Sequence, residues 1–272
     1  MTRILGVCFR SREGAVAENV ERAERVIREA ARENRVDLVV LPELFTSGYC
    51  APDLTPWAED EGSETFRRFA ALARELDTVI GWGFAGRGDG RRVYNSYAVI
   101  EPGRPPAIVR KTHLHRSQPG SPIDEPAFLL PGDQLGLVDT RLGRLGVMIC
   151  YDGCFVEVPR TLVLQGADVI LWPSRSGTYL AGTGFPRMRA IDNIASVVQV
   201  EGSQDGPHLP LHGLSQVFDH AGELLAECRD DDGVLSVELD FAAGRRCREA
   251  AVNVWAQYRV RRPELYGPLT RV

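Results

Sequence analysis

The chain has 272 residues, 44% hydrophobic and 25% charged, a globular profile long enough for one large core that does not demand two domains. A formal net charge of -5 without a basic tail or patch argues against a nucleic-acid backbone as main partner, and no apolar run reaches the length of a membrane span. Residues 1–10 read as a strand and not as a secretory signal, and the six irregularly spaced cysteines read as reduced thiols of a cytoplasmic protein.

Residues 4–9 predict a first strand. Val16, Val20, Ala23, Val26, Ile27 and Ala30 then recur at helical spacing, and residues 36–41 form a short continuous apolar strand. Such a strand–helix–strand unit suits a sheet covered on both faces. Pro42 ends the second strand, and a loop rich in glycine, proline and aromatics follows. Residues 63–76 predict a helix with Phe66, Phe69, Ala70 and Ala73 inward, and residues 78–84 a strand. Residues 94–100 and 107–110 predict strands joined by the turn Glu101-Pro102-Gly103.

A polar loop over residues 112–131, with four prolines, is too long for a simple connector and reads as functional. Residues 134–139 and 145–150 predict a strand pair, 156–165 a helix with Pro159 in its first turn, and 167–172 a buried strand. A helix over 185–193 and a strand over 195–200 follow. Residues 214–218, 224–228 and 234–239 form a late strand set, with Asp219-His220-Ala221-Gly222 as a hairpin turn. The remainder, with Trp255, Tyr258 and Tyr266, reads as an irregular tail from about residue 250, a candidate surface for a partner subunit. Strand–helix–strand units and hairpins occur in both halves. They suit two sheets packed face to face with helices outside, or else one doubly wound sheet. No linker is evident, so residues 1–272 read as a single domain.

Three segments place reactive groups where strands end. Glu43 follows directly on the 36–41 strand, where ligand sites in α/β sheets gather, although a solvated turn acid would look the same. Lys111 ends the 107–110 strand. Of the 32 basic residues every other one is arginine, so a lone lysine suggests a need for a compact ammonium, or a chance survivor on the surface. Cys150 ends an apolar strand just before a helix, a position that lowers a thiol pKa, although most free cysteines are buried and inert. The usual partner of such a cysteine is histidine, and His113, His115, His208 and His212 leave that option open. Cys150 and Cys154 alone are a weak metal pattern, and no nucleotide motif is present, so neither metal nor cofactor is expected.

Together these segments resemble the nitrilase superfamily of carbon–nitrogen hydrolases over nearly the whole chain. Glu43-Leu44-Phe45, Arg110-Lys111-Thr112-His113-Leu114 and Ile149-Cys150-Tyr151-Asp152 look like its three catalytic motifs in order. Gly166-Ala167-Asp168 with Pro173, Arg189-Ala190 with Asn193, and residues 213–222 resemble later family segments. The resemblance implies an αββα four-layer sandwich of two mixed sheets. It implies Glu43 as general base, Lys111 as oxyanion-stabilising cation and Cys150 as nucleophile. It further implies Glu125 as an auxiliary acid in the loop before the cysteine, and the Tyr151 backbone N–H as a second oxyanion donor. The expected reaction is hydrolysis of a small linear amide or N-carbamoyl compound through a thioester, by a homodimer or larger homo-oligomer. Nitrile hydrolysis, acyl transfer and a catalytically idle assembly subunit are the rival readings. Tyr151, where true nitrilases often carry tryptophan, favours the amide. Cys154, Val156 and Asp192 depart from the common pattern without removing a catalytic group. Arg175, Arg187 and Arg189 are candidates to hold a substrate carboxylate, or to make ion pairs at the surface or between subunits.

Overall fold

The computed structural model describes residues 1–116, 124–176, 178–205, 213–250, 258 and 260–270. One sheet has the order β14 (Val234–Leu239), β1 (Thr2–Val7), β3 (Leu38–Val40), β4 (Val79–Gly86), β5 (Val93–Ile100), β6 (Ala107–Arg110). A short β7 (Leu129–Leu130) runs beside β5. The other has the order β13 (Leu224–Cys228), β12 (Ser215–Phe218), β11 (Ser196–Asp205), β10 (Val169–Ser174), β9 (Gly143–Val147), β8 (Gly136–Thr140). Here β2 (Phe9–Arg12) pairs with the far half of β11. Both sheets are mixed: β1–β3–β4 and β9–β10–β11 are parallel, and their flanks are antiparallel.

The period-two alternation of the strands decides what lies on each face. Ile4, Leu38, Val40 and Val79 of the first sheet share one buried cluster with Leu145, Val147, Val169 and Leu171 of the second, so the sheets pack face to face. The alternate residues Leu5, Val39 and Ile80 meet Val20, Ala23 and Ile27 of α1 (Val16–Glu33) and Phe66, Phe69 and Leu72 of α2 (Glu64–Leu76). On the other side Ile170, Trp172 and Val197 meet Val158 and Leu162 of α3 (Glu157–Leu164). The result is the four-layer αββα sandwich. No helix of the described residues is long and apolar enough to cross a membrane.

The structure departs from the sequence pattern in several places; the expected 145–150 strand, for one, ends at Val147 and Cys150 opens a 3-10 helix. The expected 4–9 strand is two strands, because the chain leaves the first sheet at Cys8 and enters the second at Phe9. Cys8 and Phe9, the residues at the crossing, are both buried and apolar, so the crossing leaves no mark in the hydrophobic pattern. The expected 195–200 strand extends to Asp205, since β2 supplies hydrogen-bond partners to its outer half. A short α4 (Tyr179–Gly182) precedes α5 (Phe185–Asn193). The stretch after β14 holds α6 (Ala242–Ala250), whose only buried residue is Gly244. Of the tail aromatics, Trp255 lies outside the described residues. Tyr258 donates its hydroxyl to the Asn193 carbonyl at 3.0 Å, so this part of the tail packs on its own chain.

Candidate active site

Glu43, Lys111, Glu125, Cys150 and Tyr151 line a single cavity of about 550 Å³. Glu43 sits in the turn beyond β3, which the chain makes by placing Leu44 at a φ of 44°. Gly83 of β4 passes this turn as bare backbone: a Cβ there would lie 2.4 Å from the Leu44 nitrogen. Lys111 follows β6, its N–H donating to the Asn95 carbonyl at 2.8 Å. Cys150 opens a one-turn 3-10 helix, Cys150–Cys154, at a φ of 47°. A non-glycine residue in that region costs on the order of 1–3 kcal/mol and is tolerated where surroundings enforce it. Here Trp172 Nε1 donates to the Cys150 carbonyl at 2.8 Å, and Arg189 donates to the Gly153 and Cys154 carbonyls at 2.9 Å each.

Gly153 leaves room for Trp172, since a Cβ at 153 would lie 2.1 Å from the indole. Gly153→Ala is therefore expected to displace the ring that holds the Cys150 carbonyl. The expected cost is about 1–3 kcal/mol of stability in chemical denaturation, with a fall in turnover.

Asp152 joins the segments that carry Lys111 and Cys150. Its buried carboxylate accepts from the Ile149 N–H (3.0 Å), the Thr112 N–H (3.1 Å), the Thr112 hydroxyl (2.8 Å) and the His113 N–H (2.8 Å). The lysine strand and the nucleophile turn are thus tied together by one side chain. In the sequence Asp152 shows only as a member of the Cys150 motif.

Lys111 is the electrostatic centre. Its ammonium donates to Glu43 Oε1 at 3.0 Å and to Glu125 Oε1 at 2.7 Å, and all three side chains are buried. Burial pushes the ammonium toward neutrality, but the Glu125 and Glu43 carboxylates outweigh it and hold the lysine well above its ordinary range. Glu125 is fixed further by the Tyr49 hydroxyl at 2.7 Å and the His115 N–H at 2.5 Å. Glu43 Oε1 also accepts from Asn95 Nδ2 at 2.7 Å. Glu43 Oε2 is buried and has no partner among the described residues. Burial, with the Glu43 charge second, raises the Cys150 thiol well above the ordinary cysteine value, so it rests protonated. The five residues expected at the site therefore do meet. Among the described histidines neither candidate hydrogen-bonds Cys150: His113 Nδ1 lies 3.1 Å from Asp152 and its ring stacks on Phe155, and His115 lines the cavity with its ring edge-on to Tyr151; His208 and His212 lie outside the described residues.

The three arginine candidates are engaged elsewhere. Arg175 is buried and donates to the Glu43 carbonyl (3.2 Å), the Ser203 carbonyl (2.7 Å) and Ser11 Oγ (2.8 Å). Arg187 donates to the Gly222 carbonyl, and Arg189 braces the nucleophile turn. Their planar donor forks hold backbone, which sequence cannot reveal before the loops are placed.

Glu201 is a further buried acid beside the cavity, with no signal in sequence because it lies inside β11. It accepts from the Ser176 N–H (2.8 Å), the Ser176 hydroxyl (2.6 Å) and Gln199 Nε2 (2.7 Å), and so holds the loop that follows β10. Burial raises its carboxyl to about 8. The folded state then binds a proton that the unfolded chain releases near the ordinary glutamate value, so stability falls as pH rises between about 5 and 8. Glu201→Gln is expected to remove a slope on the order of a few kcal/mol across that window, read from denaturation midpoints at several pH values.

The family model for carbon–nitrogen hydrolases matches residues 9–249. Human omega-amidase NIT2 is 30% identical over 261 residues, covering 92% of each chain. The Arabidopsis thaliana N-carbamoylputrescine amidase is 28% identical over 279 residues, covering 93% of this chain and 90% of that one. The crystal structure of Saccharomyces cerevisiae Nit3, a member of branch 10 of the nitrilase superfamily, superposes with a TM-score of 0.81 at 25% identity, covering 92% of this chain and 93% of that one. The chain belongs to the carbon–nitrogen hydrolase family, within the nitrilase superfamily. It is an enzyme of that class, which hydrolyses a carbon–nitrogen bond by cysteine-dependent chemistry.

Proposed function

We propose that the protein hydrolyses a small linear amide to an acid and ammonia or an amine, through a thioester on Cys150. The observation that carries this reading is the unpartnered Glu43 Oε2, buried in the same cavity as Cys150 while Lys111 holds its sister oxygen. A carboxylate oxygen with an open lone pair is what a protonated thiol needs. Glu43 takes the thiol proton as sulfur attacks the carbonyl carbon. Charge moves to the carbonyl oxygen, where the Lys111 ammonium and the Tyr151 N–H stabilise it. Tyr151 suits this role because the first N–H groups of a helical turn lack partners within the turn. Glu43 then protonates the departing nitrogen, and the same carboxylate activates the water that releases the acid. Glu125 keeps the ammonium in place throughout.

The relatives named omega-amidase and N-carbamoylputrescine amidase support an amide or carbamoyl substrate over a nitrile. Exposed Val156, Leu164, Met188 and Ile191 on α3, its N-terminal flank and α5 support a homodimer formed through the nucleophile side of the molecule. A reducing, cytoplasmic setting, which keeps the thiol available, belongs to the same proposal. Ammonia release from matched primary amides, N-carbamoyl compounds and nitriles tests the reading. The amides or carbamoyl compounds should be consumed fastest, and preferential consumption of nitriles would overturn it.

A further inference from the structure

The charged groups around the cavity are already engaged by the chain. Lys111 is shared by Glu43 and Glu125, and Arg175 is spent on the Glu43 and Ser203 carbonyls and on Ser11. Arg189 serves the nucleophile turn. Among the acids, both oxygens of Glu125 accept from the chain, and Glu201 is enclosed by Ser176 and Gln199. The open oxygen of Glu43 is required for the thiol proton. A substrate carboxylate or ammonium therefore meets, among the described lining residues, only opposite charges that the chain already holds through hydrogen bonds. An ion buried without a counter-charge costs several kcal/mol.

Most of the remaining wall is aromatic or apolar, with the His115 imidazole and the Glu201-bound Ser176 as its polar members. Leu180 is buried at the start of the second-sheet helical layer, and Phe185 and Tyr179 meet edge to face with ring centroids 6.4 Å apart. Tyr151 and Cys154 line the side nearest the nucleophile. Each CH₂ group buried against such a wall gains about 0.8 kcal/mol. A cavity of about 550 Å³ has room for an acyl group of ring size beyond the reacting carbonyl.

We propose that the pocket selects an uncharged amide with an apolar acyl group, a branched or straight aliphatic chain or a single aromatic ring, and discriminates against acyl groups that end in a carboxylate or an ammonium. The proposal rests on the amidase reading above. It separates this chain from its relatives: the names omega-amidase and N-carbamoylputrescine amidase do not define its substrate class.

The test compares kcat/KM at pH 8 for shape-matched pairs. 4-Methylpentanamide is set against succinamate, in which a carboxylate replaces the isopropyl end. Hexanamide is set against 5-aminopentanamide, in which an ammonium replaces the terminal methyl. Phenylacetamide probes the ring. The neutral member of each pair should exceed the charged one by at least about 10-fold, the discrimination a single unpaired charge supplies. Equal or faster turnover of either charged member overturns the proposal. So does a succinamate preference that disappears in His115→Gln, because it would place the anion on that lining imidazole. Turnover of none of the five overturns the amidase reading and this proposal with it, an outcome distinct from a reversed preference.

Discussion

Lys111→Met is expected to lower kcat by about 10²–10³-fold and to destabilise the fold by about 3–5 kcal/mol. The two effects have separate causes. Lost turnover reflects the missing donor to the oxyanion. Lost stability reflects Glu43 and Glu125, left as buried carboxylates with their shared cation gone. Lys111→Arg should restore little of either. The ammonium is a single point between two oxygens at 3.0 and 2.7 Å in a fully buried slot, and a planar guanidinium needs more width and more acceptors. In the parent protein the lysine is held above its ordinary range, so its contribution is complete at neutral pH. That contribution disappears only as pH rises through the folded-state value on the strongly alkaline side. Steady-state kinetics and urea denaturation of the same preparations separate the two losses.

Cys150→Ala is expected to remove turnover of every accepted amide to background while leaving the fold nearly as stable as the parent. The side chain is small and faces the cavity, so little packing is lost. What alanine cannot supply is the sulfur that forms the thioester. Cys150→Ser tests the chemistry more finely. A hydroxyl is a much weaker nucleophile at neutral pH, and a single carboxylate is a poor base for it, so activity should stay orders of magnitude below the parent. Binding of an amide to Cys150→Ala, read by calorimetry, should survive, because the wall and the Lys111 donor are unchanged.

The residues proposed for catalysis stood out in the sequence because each stands just beyond the end of a strand, and the family resemblance joined them. Glu43 follows an unbroken apolar run, Lys111 is the sole lysine, and Cys150 ends another apolar run. Apolar runs marked the buried strands but left a two-sheet sandwich and one doubly wound sheet open, and the family resemblance pointed to the four-layer sandwich. What did not show were contacts made only after folding. Asp152 binds Thr112 and His113 some 40 residues away, and Glu201 is buried by a loop from the neighbouring strand. Arg175 was one of three arginines that sequence offered either to a substrate carboxylate or to an ion pair. Its guanidinium instead lies where Gly202 leaves room, with Nη2 2.8 Å from an added Cβ at that position. The α6 helix was hidden by its composition, rich in arginine with a single buried glycine, which gives no apolar stripe to read.

The most direct measurement is the mass of the enzyme during turnover. Mixing with an accepted amide and quenching in acid within milliseconds should give a species heavier by the acyl group, and digestion should place that group on the peptide carrying Cys150. Hydroxylamine added to the reaction should divert the same acyl group to a hydroxamate. An acyl group found on another residue, or steady turnover with an unmodified Cys150 peptide and no hydroxamate, would contradict the thioester mechanism.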